Sequence, residues 1–73
     1  MEKTTELARA AIATGQHFAI TLVRASDREL IVLVWPSRST EIEPSALAAV
    51  TTAIVSTLAE ARVQLGLIRA AER

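Results

Sequence analysis

Cysteine and tyrosine are absent from this 73-residue sequence, and histidine, glycine and proline are scarce, with one, two and two copies. Without cysteine the chain can form no disulfide and no Cys-ligated zinc or iron–sulfur site. Two glycines are too few for a phosphate-binding loop, and neither G-x-S-x-G nor H-E-x-x-H occurs. The one histidine, His17, lies in no catalytic motif. We therefore expect a non-enzymatic protein with no cofactor and no metal site.

The chain also lacks an excess of either charge, since eight basic and eight acidic residues give a formal net charge of zero. Binding to nucleic acid or to an acidic membrane surface usually depends on net positive charge. The uncharged stretch at residues 46–59 of the predicted C-terminal helix is shorter than the roughly 20 residues that span a bilayer. The N-terminal residues contain no apolar signal core. These features predict a cytoplasmic protein that does not insert into a membrane.

Apolar side chains are abundant and make up 51% of the residues. A chain of this length buries only about 60% of the surface that its unfolded form exposes, and so small a core seldom provides more than about 3–5 kcal/mol. Small proteins usually add a disulfide, a metal or a partner chain. Because the sequence excludes the first and offers no ligand set for the second, it predicts a homodimer.

Residue patterns divide the chain into four predicted elements within one α+β domain. Alanines followed by Gly15 favour a short N-terminal helix, and Pro44 suits the first turn of a long C-terminal helix. Between them, an alternating pattern over the first strand and a continuous apolar run over the second predict an antiparallel hairpin with a loop of four or five residues. The predicted architecture is therefore α-β-β-α over residues 1–73. Its elements are a helix over about 4–14, strands over about 17–25 and 30–35, and a helix over about 44–72.

Two features of this predicted fold indicate where the partner binds. The second strand is apolar on both faces, although a single chain of this size covers only one face of a hairpin well. The long helix carries a continuous apolar seam with a spacing near 3.5 residues, and at about 42 Å it is longer than a compact globule of this size. The predicted interface consists of Leu47, Val50, Ile54, Leu58, Leu65 and Ile68 from the helix, and Ile31, Leu33 and Trp35 from the sheet.

Size and composition together predict a small protein–protein interaction module. We expect a self-associating regulator, inhibitor or accessory factor of bacterial or phage origin, whose partner is itself or a larger protein. Two alternatives remain open. In the first, a dimeric nucleic-acid-binding regulator contacts phosphates through Arg24, Arg28 and Arg38. In the second, exposed sheet edges link copies into a polymerising structural subunit.

Overall fold

The fold is a three-stranded antiparallel sheet followed by one long helix, and the computed structural model describes residues 2–13, 15–35 and 41–73 of it. The strands lie in the order β1-β2-β3, so that β2 is central and the other two form the edges. This arrangement is a small α+β fold, as predicted. Its elements are β1 (Lys3–Ala13), β2 (Gln16–Arg24), β3 (Glu29–Val34), a 3-10 turn (Pro44–Ala46) and α1 (Leu47–Ala71).

The first element corrects the prediction of a helix over about 4–14, because β1 is a strand paired antiparallel with β2. Alanine has the highest helix propensity, but propensity is a weak determinant that tertiary context overrides, and an isolated helix of this length is marginal in water. As a strand, the segment bonds to β2 and buries Leu7 and Ile12. Gly15, expected to end the helix, adopts φ 71° in the β1–β2 turn. The order is therefore β-β-β-α.

Two irregularities in the β1–β2 register shape the first strand. The pairing shifts between Glu6 and Ala8, and again between Ala11 and Ala13. An extra residue in one strand interrupts the strict alternation of side chains between the two faces. Leu7 and Ala8, although adjacent in sequence, are consequently both buried. This departure from a two-residue period also explains why no clear strand pattern is visible in the sequence here.

The predicted hairpin is confirmed within one residue at each end of both strands. Four residues, 25–28, connect β2 to β3, as the lack of glycine predicted. In the described part of the chain, no non-glycine residue has a positive φ, so the loop does not need the left-handed conformation of the tight primed turns.

The predicted C-terminal helix is also present, with a 3-10 turn from Pro44 to Ala46 leading into α1. Gly66 lies within α1 and does not interrupt it. The molecule measures 45 × 23 × 17 Å, and its radius of gyration is 14.1 Å. A compact chain of this length would have a radius of gyration of about 11 Å. The fold is therefore distinctly elongated.

The core lies between α1 and one face of the sheet, on the side of β1 and β2. Cα atoms of α1 come within 8 Å of β1 and, less often, of β2, but among the described residues none comes this close to β3. Val50, Ile54, Leu65 and Ile68 of α1 pack against this core. The buried apolar residues are Leu7, Ala8, Ile12, Phe18, Ile20, Leu22 and Ala61. The helix thus covers two strands and leaves the third open.

Candidate protein–protein interface

Strand β3 has an apolar surface on both sides of the sheet. Leu33 lies opposite Ile20 and Ile31 lies opposite Leu22, so both point to the side of the core. Val32 lies opposite Thr21 and points to the other side of the sheet, together with Leu30 and Val34. In the described part of the chain, no element covers that second side.

The side chains of β3 are exposed although the adjoining strand is deeply buried. Phe18 and Ile20 on β2 are fully buried, with 0% exposure. The six consecutive residues 30–35 are each between 37% and 48% exposed. Scattered exposed apolar residues are normal on a protein surface, but a contiguous patch usually marks an interaction site. The β3 strand and the residue after it form such a patch.

Trp35 extends the patch beyond the end of the strand. Its ring stacks on that of Phe18, with the ring centroids 5.2 Å apart and the planes inclined by 20°. Near-parallel aromatic pairs at this distance are favourable when the rings are offset. One face of the indole is therefore held against the core, while 48% of the residue stays exposed.

The hydrogen-bond pattern of the hairpin determines which backbone groups of β3 are free. The Ala25 N–H donates to the Arg28 carbonyl at 2.9 Å, so these residues form a bonded pair. Bonded and non-bonded pairs alternate along an antiparallel ladder, and the β2–β3 register has no shift. The backbone groups of Leu30, Val32 and Val34 therefore face β2. Those of residues 29, 31 and 33 point to the open edge.

One flank of α1 borders β3 and continues its apolar surface. Leu58 is 41% exposed, and together with Leu65 and Ile31 it lines an open cavity of about 180 Å³ between the helix and the sheet. The remaining wall comes from core residues and from Arg62. The exposed surface thus runs from the helix flank across β3.

The residues predicted as the helix interface fall into two groups. Val50, Ile54, Leu65 and Ile68 are half-buried against the core of their own chain. Leu47 and Leu58 are exposed and available for a partner. The seam seen in the sequence therefore packs largely within the chain, and its outer border is what remains free.

The predicted interface does not include three other exposed apolar residues of α1. Val55, Val63 and Leu67 are each about 60% exposed. They lie outside the 3.5-residue seam, so the periodicity that identified the seam gave no weight to them. The feature of the sequence that could have identified them is the scarcity of charged residues on the helix surface opposite the seam.

A network of four charged side chains joins the C-terminal end of α1 to the β2–β3 hairpin. Arg24 binds the carboxylate of Glu72 with both terminal nitrogens, and one of these bonds measures 2.9 Å. Arg24 also forms an ion pair with Glu29, with its Nε 3.0 Å from Glu29 Oε2. Arg69 donates to Glu29 at 2.6 Å. The hydrogen bond from Arg24 lowers the pKa of Glu72, and the same bond raises the pKa of Arg24.

The arginines of the nucleic-acid alternative are not brought together as a phosphate site. Arg24 is occupied by two carboxylates, while Arg28 lies exposed in the hairpin loop. Arg38 lies outside the described residues. His17, the one histidine of the sequence, is exposed near the start of β2. Within residues 2–13, 15–35 and 41–73, no cluster of three His, Asp or Glu side chains is placed to hold a metal ion.

The segment Pro44–Ala71 is long and apolar enough to cross a membrane by length and composition alone. Helices that pack against protein meet the same criterion, and this one holds the sheet through Val50 and Ile54. Only 17% of its most apolar stretch is buried within the chain. The helix therefore has apolar surface left over after it has covered β1 and β2.

Comparison of the chain with protein-family models, with characterised proteins and with solved structures finds no significant match.

Proposed function

We propose that this chain is a non-enzymatic, self-associating protein–protein interaction module, acting as a regulator, inhibitor or accessory factor in the form of a homodimer. The observation that supports this most strongly is β3, whose side chains are exposed and apolar on both sides of the sheet. Such a strand is stable in water when a partner covers it.

The total exposed area supports the same proposal. A folded monomer of 7.8 kDa is expected to expose about 4,400 Å² of surface. The chain exposes 5575 Å², an excess of about 1,200 Å² over that expectation. A stable interface of standard size buries about 800 Å² per partner. The excess is therefore large enough to provide one complete interface.

Closure as a dimer is favoured over the open polymer by the opposite edge of the sheet. A head-to-tail polymer would have to pair β3 of one copy with β1 of the next. Strand β1 is bulged, and it carries an ion pair in which a terminal nitrogen of Arg9 lies 2.7 Å from Glu6 Oε1. Bulges and charges are devices by which edge strands resist pairing. A symmetric contact of β3 with β3 avoids this edge.

The nucleic-acid alternative has less support from the arrangement of charges. Arg24 is neutralised by Glu29 and Glu72, and the net charge of the chain is zero. Non-specific phosphate binding requires cations that release counterions from the nucleic acid. An arginine that is already paired with carboxylates contributes little to that release.

Light scattering behind a sizing column, over a hundredfold range of concentration, tests the proposal. We expect a mass of twice 7.8 kDa that stays constant once the dimer is saturated. The variant Val32→Lys should weaken association at least about a hundredfold, because two buried valines are lost and two lysines enter the contact. Ala11→Lys places the same charge on the exposed surface of β1 and should leave the mass unchanged.

Two results would contradict the homodimer, and a third would contradict its location at β3. A wild-type mass of 7.8 kDa at every concentration would show that the chain does not self-associate. A mass that rises without a plateau would indicate the polymer. If Val32→Lys and Ala11→Lys both remained dimeric, the contact would lie away from β3.

A further inference from the structure

The backbone of β3 restricts how two copies of the strand can pair. Residues 29, 31 and 33 point their N–H and C=O groups to the open edge, and the same alternation assigns residue 35 to this set. Pro36 follows and has no N–H to donate to a ladder. The edge available for pairing is therefore the segment 29–35, with alternate residues able to form hydrogen bonds.

Antiparallel pairing of two such edges requires that outward-pointing residues face each other. Odd-numbered residues of one copy must then lie opposite odd-numbered residues of the other, so the two-fold axis passes through a residue pair. An axis at residue 31 would place Val34 and Trp35 opposite the hairpin loop. An axis at residue 33 would place Glu29 and Leu30 opposite the segment that begins with Pro36. Only an axis at Val32 pairs the whole segment 29–35 with itself.

We propose that a second copy of this chain binds at the open edge, with the two β3 strands antiparallel and Val32 facing Val32 of the second copy on the two-fold axis. The two sheets then form one continuous sheet of six strands. This proposal rests on the proposed self-association and adds its register.

The side chains that this register brings together are compatible. On the core side, Ile31 faces Leu33 of the second copy, and on the other side Leu30 faces Val34 of the second copy. Apolar pairs directly opposite each other stabilise antiparallel sheets. Glu29, at the end of the segment, already makes ion pairs with Arg24 and Arg69, so no unpaired charge enters the contact.

The same symmetry determines where the two helices lie. A two-fold axis that relates neighbouring antiparallel strands of one sheet is perpendicular to the sheet, so both α1 helices lie on the same side. Their Leu58 flanks then face each other across a floor formed by Ile31, Leu33 and Trp35 of both copies. The exposed helix flank and the core side of β3 thus become parts of one apolar surface that spans the two-fold axis.

Single-cysteine variants test the register, because the chain contains no cysteine of its own. Opposite residues in a non-bonded antiparallel pair have Cβ atoms about 4.5–5.5 Å apart, close to the separation in a disulfide. Under mild oxidation Val32→Cys should form a covalent dimer that disappears on reduction. Leu30→Cys is the matched control, since it is equally exposed on the same side of β3. Its counterpart in the second copy lies about 13 Å away along the strand, too far for a disulfide.

A mixture supplies the complementary measurement. Leu30→Cys and Val34→Cys, each unable to link to its own kind, should give a covalent dimer when they are mixed and oxidised. This second test does not depend on the behaviour of Val32→Cys. The mass of each reduced variant, measured by light scattering, shows whether it still dimerises.

The outcomes separate the register from the self-association itself. Strong linkage of Val32→Cys, weak linkage of Leu30→Cys and linkage of the mixture support the proposal. A non-covalent dimer in which Val32→Cys does not link, or in which Leu30→Cys links equally well, overturns the register and leaves the proposed function standing. A reduced protein that is monomeric at all concentrations overturns both.

Discussion

The two edges of this small sheet face solvent in different ways. The backbone groups of Glu6 and Arg9 point outward from β1, because these residues pair with Thr21 and Ala19, whose own backbone groups face β3. That edge is bulged and charged, and α1 packs against its strand. The β3 edge has an unbroken register and no lysine or proline in residues 29–35, and among the described residues no helix packs over it as closely as α1 packs over β1.

The features that hinder pairing with another strand are therefore present at the β1 edge and absent from the described β3 edge. Charges, bulges and cover are the usual means by which proteins prevent contact between sheet edges. Their concentration on β1 leaves β3 as the edge at which we propose that association takes place. The comparison also divides the stability of the protein, since α1 supports the β1 side and a second copy is expected to support the β3 side.

The largest expected effect comes from removing the cover of the β1 side. Ile54→Asp places a carboxylate where α1 packs on the core, and the loss of apolar burial alone amounts to at least about 2 kcal/mol, to which the charge adds. We expect this variant to be unfolded by circular dichroism. Val55→Asp, at the neighbouring but 60% exposed position, should retain the fold. Equal unfolding of both variants would show that α1 does not pack through this face.

A smaller effect is expected from truncating one side chain on each side of the sheet. Ile12→Ala removes a buried side chain below α1 and should lower the free energy of unfolding by about 2–5 kcal/mol. Leu33→Ala removes an exposed side chain of β3. Because this side chain stabilises the protein only when a second copy covers it, the reduction in the free energy of unfolding should increase as the protein becomes concentrated enough to dimerise. Urea unfolding at two protein concentrations distinguishes them. An equal, concentration-independent loss in both variants would contradict the division between the two sides.

The smallest expected effect concerns the ion network at the end of α1. The pKa of Glu72 is lowered from its ordinary value of 4.5 by the hydrogen bond from Arg24, so the unfolded chain binds this proton more readily than the folded one. The stabilisation is fully present above the ordinary pKa of Glu72 and is lost as the pH falls below it, through the lowered pKa of the folded state. Glu72→Gln should therefore be slightly less stable at neutral pH and lose less on acidification.

Glu60→Gln is the control for this prediction, because Glu60 is exposed on the same helix and lies outside the network. Thermal unfolding between pH 3 and pH 7 provides the measurement, a range chosen to bracket the ordinary pKa of a glutamate. Identical pH profiles for Glu72→Gln and the wild-type protein would show that the contact with Arg24 contributes nothing to folding.

The hairpin and the long helix could be predicted from the sequence because their signals are local. Alternation in residues 17–25, the continuous apolar run 30–35, the polar four-residue loop and Pro44 each determine structure within a few residues. The first strand could not be predicted, since its alanines favour a helix and its bulges disrupt the alternation. Its conformation depends on pairing with β2, which is a tertiary effect.

The exposed apolar surface was predicted only in part. Ile31, Leu33 and Trp35 could be found because residues 30–35 are all apolar, and so short a chain cannot cover both faces of such a strand well. Which border of the helical seam stays free depends on how α1 is rotated on the sheet. That rotation is determined by the packing of Val50 and Ile54 against the core, and periodicity carries no information about it.

Amide hydrogen exchange tests the central claim, that a second copy covers the β3 edge, most directly. The outward N–H groups of Ile31 and Leu33 should become protected as the protein concentration rises through the dissociation constant of the dimer. Those of Glu6 and Arg9 on the opposite edge should exchange rapidly at every concentration. If Ile31 and Leu33 exchange as rapidly as Glu6 and Arg9 even in the most concentrated solution, no strand covers β3 and the claim is wrong.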